Sequence, residues 1–348
     1  MLYNKNGFIT YSANFDTTTG DFIMADTSVF MVNQGKQKNS LFLRLKKQYM
    51  IQLFVLCGIA FVVVFSYIPM FGIIIAFKDY SITAGISGMF TAPWNGFGHF
   101  IEFFNDHMFW VVVRNTLAIS LLKIIFTFPA PIILAIVLNE ITIAPIKRFA
   151  QTVSYLPHFI SWVIVAGMAG SFFSQTRGVV NEILLYMNII EDPLPILIES
   201  EYFWALAVGT EVWKATGWWS IIFLAAIAGV DPTLYEAAQI DGAGRLKRIW
   251  HITLPSIKGA IVVVLVLSIG NLLGGGIGGS NFEQSMLLGN VINRPHSEII
   301  QTYAFRVAMV AGRFDYGAAI TFIQSVISVV LIFSSNHIMK RITGSSLF

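Results

Sequence analysis

From residue 49 onward the chain alternates long apolar runs with short polar intervals. A helix needs about 20 predominantly apolar residues to cross the hydrocarbon core of a bilayer. Six stretches reach or approach that length, at roughly 49–77, 111–138, 148–173, 202–230, 257–273 and 318–338. Pro69 lies near the end of the first, Pro129 and Pro131 lie inside the second, and Pro157 interrupts the third. Prolines are tolerated inside such spans because neighbouring helices and hydroxyl side chains satisfy the freed carbonyls. The pattern therefore predicts an all-α polytopic membrane protein of about six kinked, packed helices.

The intervals carry structure of their own. Residues 97–108 and 179–190 read as short amphipathic helices lying at the interface. The stretch 273–280 is glycine-dense, and glycine costs about 1 kcal/mol per helical residue against alanine, so a loose exit from the fifth span is expected there rather than a flexible gate. Residues 1–45 form a polar tail expected to be disordered, 46–342 the membrane domain, and 343–348 a short C-terminal tail. The tail has no charged start followed by an apolar core, so no cleaved signal peptide is expected, and Met24 and Met31 are alternative starts.

Composition agrees with the pattern. Of 348 residues, 55% are hydrophobic and 12% charged, and the mean hydropathy of +0.70 is far above that of a soluble domain. The 30 Phe and 8 Trp suit a lipid environment. A net charge of +3 without a long basic run excludes nucleic acid as a partner. The single Cys57 rules out an intramolecular disulfide and any CxxC site.

Basic residues set the expected orientation. Arg44, Lys46, Lys47, Lys147, Arg148, Arg245, Lys247, Arg248, Lys258, Lys340 and Arg341 fall on the side of both termini. The opposite loops hold Lys78, Arg114, Arg177, Arg294, Arg306 and Arg313 with many of the acids, among them Glu191, Asp192, Glu199 and Glu201. Positively charged loops stay cytoplasmic, so both termini and the interval 231–255 are expected inside the cell.

That interval reads as a helix, a tight turn and a second helix. Asp231 is a good N-cap, Pro232 suits the first helical position, and Glu236 lies near the positive end of the dipole. Gly242 allows the left-handed conformation that ends such a helix. A second short helix over 243–251 would put Leu246, Ile249 and Trp250 on one side, and Pro255 would reopen the chain.

The string Glu236, Ala237, Ala238, then Asp241, Gly242, Ala243, then Ile252, Leu254, Pro255 resembles the EAA loop of binding-protein-dependent ABC importer permeases. The runs 67–80 and 151–162, with Asn115-Thr-Leu, are similar to the LplB-type branch of the MalF-like sugar permeases, and the likeness extends from about Lys46 to the C-terminus. The resemblance implies the type I ABC importer permease fold in a bacterial plasma membrane. It implies import of a sugar or oligosaccharide, a second permease subunit as heterodimer partner, and an extracytoplasmic solute-binding lipoprotein. Two ATP-binding subunits would take the loop as a coupling helix and carry ATP and Mg, this chain binding no cofactor. No GxxxxGK[ST] phosphate loop occurs in the chain, which fits that division of labour.

Charged groups inside spans usually face a bundle interior or water. Thr116, Ser120, Lys123 and Thr127 recur at helical spacing and form one polar stripe, read either as lining the pathway or as joining helices. Glu211 and Lys214, three residues apart, can pair along one face. Trp218 offers a flat apolar surface for a sugar ring, and Asn271 and Gln324 are further polar candidates for the translocation path. A secondary transporter would show inverted repeats and a midplane acid, for which only Glu211 qualifies. A membrane enzyme would need a convergent catalytic set, yet the histidines at 99, 107, 158, 251, 296 and 337 are scattered with no HExxH spacing.

Overall fold

The computed structural model describes residues 48–343 together with Leu2–Tyr3 and Ile9–Thr10, two short strands that pair antiparallel. The rest of the tail expected to be disordered, and residues from 344 on, lie outside the described residues. The chain divides into two units, Met1–Val63 and Val64–Phe348. In the first, helix Tyr49–Val62 buries none of its side chains. The packing described below belongs to the second.

Three helical runs are long and apolar enough to cross a membrane, Tyr49–Phe77, Phe109–Glu140 and Phe314–Arg341. Three bent pairs complete a possible set of six: Ala144–Phe159 with Trp162–Phe173, Ser200–Ala228 with Pro232–Ile240, and Arg245–Ser256 with Lys258–Gly270. The centre of the second unit is helix Phe203–Ala228, which packs against Phe109–Thr127 and Pro129–Glu140. Its inward residues, Phe203, Leu206, Ala207, Phe223 and Ile227, enter two core clusters, one near each end of the helix. The long helix Phe314–Thr343 packs along Lys258–Gly270, Ile300–Met309 and the 3-10 run Phe71–Phe77.

Two expected spans are broken rather than kinked. In the third, the helices on either side of residues 160–161 diverge by 102°. Pro157 has no N–H to continue the first helix, and Ser161 starts a new one, its hydroxyl accepting from Ile164 N at 3.4 Å. The fifth ends early, at Gly270. Its 13 residues rise only about 20 Å, short of a hydrocarbon core.

The glycine-dense stretch after it is not a loose exit. Gly275, Gly276 and Gly279 adopt φ of 109°, 69° and 63°, a region that costs any residue with a Cβ. The turn closes on itself through Gly274 N to Asn271 O, Gly275 N to Leu272 O and Gly276 N to Asn271 O. Leu272, Leu273, Ser280 and Asn281 are buried. The chain then resumes as helix Asn281–Leu288. That helix ascends beside the fourth span: Gln284 Nε2 donates to Ala207 O at 2.8 Å, Asn293 Nδ2 to Leu197 O at 3.1 Å, and Trp204 Nε1 to His296 O at 3.0 Å. Helix Lys258–Gly270 is thus followed by a second helical piece, joined to it by a buried turn.

The amphipathic intervals form helices Gly98–Asn105 and Val179–Tyr186, close to the expected 97–108 and 179–190. Helices Gly85–Thr91, Arg294–Ser297 and Ile300–Met309 were not signalled by the hydrophobic pattern.

Helices Phe203–Ala228 and Ala144–Tyr155 approach closely where a Cβ on Gly217 would overlap the backbone carbonyl of Ser154. Gly217→Leu is expected to destabilise the purified protein by about 1–3 kcal/mol or more, the usual cost of overpacking. Gly209→Ala, with nothing within 4 Å of the added carbon, should be neutral or slightly stabilising. Thermal unfolding in detergent measures both.

Candidate functional site

The interval between the fourth and fifth spans folds as a compact bracket. Helix Pro232–Ile240 starts at Asp231, whose side chain accepts from Thr233 N at 2.9 Å. This backbone donor holds the Asp231 carboxyl below the usual carboxylate range. The helix ends at Gly242, with φ of 76°. Gly242 N donates to Gln239 O at 3.1 Å and Ala243 N to Ala238 O at 2.8 Å, the paired bonds of a Schellman cap. Ala237, Ala238, Asp241 and Gly242 therefore serve the turn through their backbone.

The second helix runs further than the sequence predicts. It begins at Arg245, passes through a π-helical turn Ile249–Thr253 and continues to Ser256, so Pro255 does not reopen the chain. Pro255 occupies the start of the short helix Leu254–Ser256, and the preceding π turn accommodates its missing N–H. The two arms are tied together by Tyr235 Oη and Thr253 Oγ1 at 3.0 Å. Glu236 is exposed. So are four large apolar residues, Leu234 at 49%, Ile240 at 88%, Leu246 at 73% and Trp250 at 66%. They lie on the same segment as the basic residues Arg245, Lys247 and Arg248.

A second constellation lies in the middle of the helices. Lys123 and Glu211, 1% and 2% exposed, meet with Nζ to Oε2 at 3.4 Å. Lys123 Nζ also donates to Ser280 Oγ at 3.0 Å, and Ser280 Oγ donates to Glu211 Oε2. The expected pairing of Glu211 with Lys214 does not occur; Glu211 turns to Lys123, and Lys214 donates to His158 O at 2.5 Å and Pro157 O at 3.5 Å. Lys214 thereby satisfies carbonyls freed at the break of the third span. A Cβ on Gly278 would overlap the Glu211 carboxylate, so the glycine turn must come this close for Ser280 to reach the pair.

Of the remaining stripe residues, Thr116 and Ser120 tie helix Phe109–Thr127 to later segments of the chain. Thr116 Oγ1 donates to Val112 O at 2.6 Å and accepts from Ile300 N at 3.0 Å. Ser120 Oγ accepts from Asn281 Nδ2 at 2.9 Å. Thr127 Oγ1 is buried without a hydrogen-bond partner among the described residues and borders a small cavity with Gly275 and Gly276. Asn271 donates to Gly276 O at 2.9 Å, closing the turn, and Gln324 is buried in the last helix. Trp218, 39% exposed, stacks on His158 at 4.4 Å and 4°. The stripe thus joins helices in this structure; Trp218 presents the open face.

Two polar groupings escaped the sequence reading. Asp106 Oδ2 accepts from Tyr303 and from Tyr316 Oη; burial and that carboxylate push the Tyr303 hydroxyl above its ordinary pKa. Nearby, Arg313 grips Glu102 with both terminal nitrogens and holds its carboxyl low. The other grouping is an open groove around Arg294, Glu298 and Arg306. Asp106 and Glu102 find partners 197 and 211 positions away, so spacing offered no signal for them; Arg294 and Glu298 stand four residues apart, a spacing that helical pairing could have signalled, in a segment read only as an outer loop.

A family profile described as "Binding-protein-dependent transport system inner membrane component" matches residues 127–344. Protein LplB of Bacillus subtilis (strain 168) is 40% identical over 304 residues, 87% of this chain and 92% of that protein. The polygalacturonan/rhamnogalacturonan transport system permease protein YteP of the same organism is 39% identical over 89% of this chain and 94% of that one. A crystal structure of a bacterial ABC transporter involved in the import of the acidic polysaccharide alginate contains a chain 36% identical, with TM-score 0.78, covering 87% of this chain and 99% of that chain. A second structure shows the alginate transporter in complex with an alginate pentasaccharide-bound periplasmic protein; its matching chain has TM-score 0.77 at 35% identity, covering 88% of this chain and 99% of its own length.

The buried pair yields a direct test. Lys123→Met leaves Glu211 buried and uncompensated, an expected loss of about 3–5 kcal/mol. The double variant Lys123→Met with Glu211→Leu should recover most of it, since apolar replacement of a whole buried pair is often neutral. Thermal unfolding midpoints of the three proteins give the comparison; equal midpoints for the single and double variants would contradict the pairing.

Proposed function

The chain belongs to the family of binding-protein-dependent transport system inner membrane components, and on that premise we propose that it is the permease subunit importing an oligosaccharide, driven through the bracket at residues 231–256. The observation that carries the coupling role is the bracket itself. A capped turn carries Glu236 and four exposed apolar residues, which nothing among the described residues buries. An ATPase subunit of the same importer is the partner we assign to them. ATP and Mg are bound there, because this chain carries no phosphate loop. A second permease subunit, two such ATPases and an extracytoplasmic sugar receptor complete the assembly.

An oligosaccharide cargo follows from the relatives, whose names refer to polygalacturonan and rhamnogalacturonan and to alginate. The orientation we assign puts both termini and the bracket in the cytoplasm, since Arg245, Lys247 and Arg248 all lie on it.

Three measurements test this reading. Purified alone, the chain should hydrolyse no ATP, whereas the complete assembly should, at a rate that rises with loaded receptor. Cysteines placed at Thr233 and at Asp192 in a Cys57-free background should label from opposite sides of the membrane. In proteoliposomes, Gly242→Val and Glu236→Lys should insert normally while uptake and receptor-stimulated hydrolysis fall together. A β-branched residue at Gly242 must hold its left-handed φ at a cost of about 1–2 kcal/mol, enough to deform the cap. If both variants transport like the parent at matched protein levels, the bracket is not the coupling element.

A further inference from the structure

The groove around Arg294 and Arg306 lies on the side of the bundle opposite the bracket. The chain leaves the bracket through Lys258–Gly270 and the glycine turn, ascends through Asn281–Leu288, and reaches the N-terminal end of the fourth span at Trp204. There residues 285–310 enclose an open cavity of about 350 Å³, within the size range of small-ligand sites. Arg294, Arg306, Glu298, Ser285 and Phe305 are among its lining.

The charges in the groove do not balance. Glu298, 6% exposed, is the only acid lining it. Its carboxylate receives Arg294 Nε at 3.4 Å, Arg306 Nη2 at 3.2 Å and Arg306 Nε at 3.3 Å. A guanidinium carries five N–H donors. Both terminal nitrogens of Arg294 are without a protein acceptor among the described residues, and the two arginine side chains stay 42% and 36% exposed. Glu298 therefore acts as a brace that fixes both forks in place. The brace is itself anchored, for Asn115 Nδ2 donates to Glu298 O at 2.9 Å and to Pro295 O at 3.0 Å, and Arg114 Nη2 to Pro295 O at 2.6 Å. Phe305, 38% exposed, adds an apolar face beside the forks.

We propose that this groove is a subsite for a carboxylated sugar, a uronate residue of the transported oligosaccharide, with Arg294 and Arg306 binding the carboxylate and Phe305 packing against the ring. The inference rests on reading the chain as an oligosaccharide permease. Guanidinium forks match a carboxylate in geometry as well as charge. A braced pair with one net positive charge discriminates an acidic ring from a neutral one of the same size.

The test uses the complete assembly in nanodiscs, without receptor, and two probes, trigalacturonate and its full methyl ester. Calorimetric titration of the parent should show the acid binding about tenfold more tightly than the ester, as expected for a charge-assisted contact, with the advantage shrinking as salt rises. In Arg294→Gln and Arg306→Gln the ratio should approach one, and Arg294→Lys should retain an intermediate ratio. The parent's own ratio needs no variant, so a folding defect in the variants does not rescue the proposal. Equal binding of acid and ester by the parent, or an acid preference that survives both glutamine variants, overturns it. So does the outcome in which neither probe binds but the variants weaken docking of the empty receptor, which makes the groove a receptor contact. Receptor-stimulated ATP hydrolysis by the same discs separates the two readings. If the parent hydrolyses normally with a ratio of one, only this inference fails; if it shows no stimulation, the importer reading beneath it fails.

Discussion

A lysine and a glutamate placed midway along apolar helices must find opposite charge inside the protein, because neither lipid nor a dry core can solvate them. Lys123 and Glu211 find each other, and the fold is arranged around that meeting. It fixes the rotation of the second span against the fourth. Ser280 joins the pair through its hydroxyl, which holds the glycine turn against it, and the turn separates helix Lys258–Gly270 from helix Asn281–Leu288. Glu211 also stands at the start of helix Asn281–Leu288, where the positive end of the dipole favours a carboxylate. The same necessity explains the third span. Its break frees carbonyls at Pro157 and His158, and Lys214, one turn beyond Glu211 on the fourth helix, is committed to them.

These two lysines show where sequence reasoning reaches and where it stops. The approximate extents of the apolar runs, and the cap, turn and second arm of the bracket, are local properties. Asp231, Pro232 and Gly242 act on neighbours within a few residues, so their roles were legible, and the structure has the N-cap and the left-handed glycine where they were expected. The polar stripe from Thr116 to Thr127 was legible as a stripe. Its partners were not, since Ser280 lies 157 positions from Lys123 and Ile300 lies 184 from Thr116. Local spacing favoured Glu211 with Lys214, and tertiary placement overruled it. The glycines misled for a related reason: a composition that forbids a helix says nothing of whether the segment is slack or tightly packed, and only the approach of Gly278 to Glu211 distinguishes the two.

The groove and the bracket sit at opposite ends of the same helix, Phe203–Ala228. Between them lie the buried pair and the lysine that tends the broken third span, all on that one helix or touching it.

The bond between Tyr235 and Thr253 has a mechanical consequence. With its arms tied near their base and its tip closed by a Schellman cap, the bracket is a closed loop of structure whose two arms run directly into the fourth and fifth spans, so any displacement of one arm must either break that hydrogen bond or carry the other arm with it.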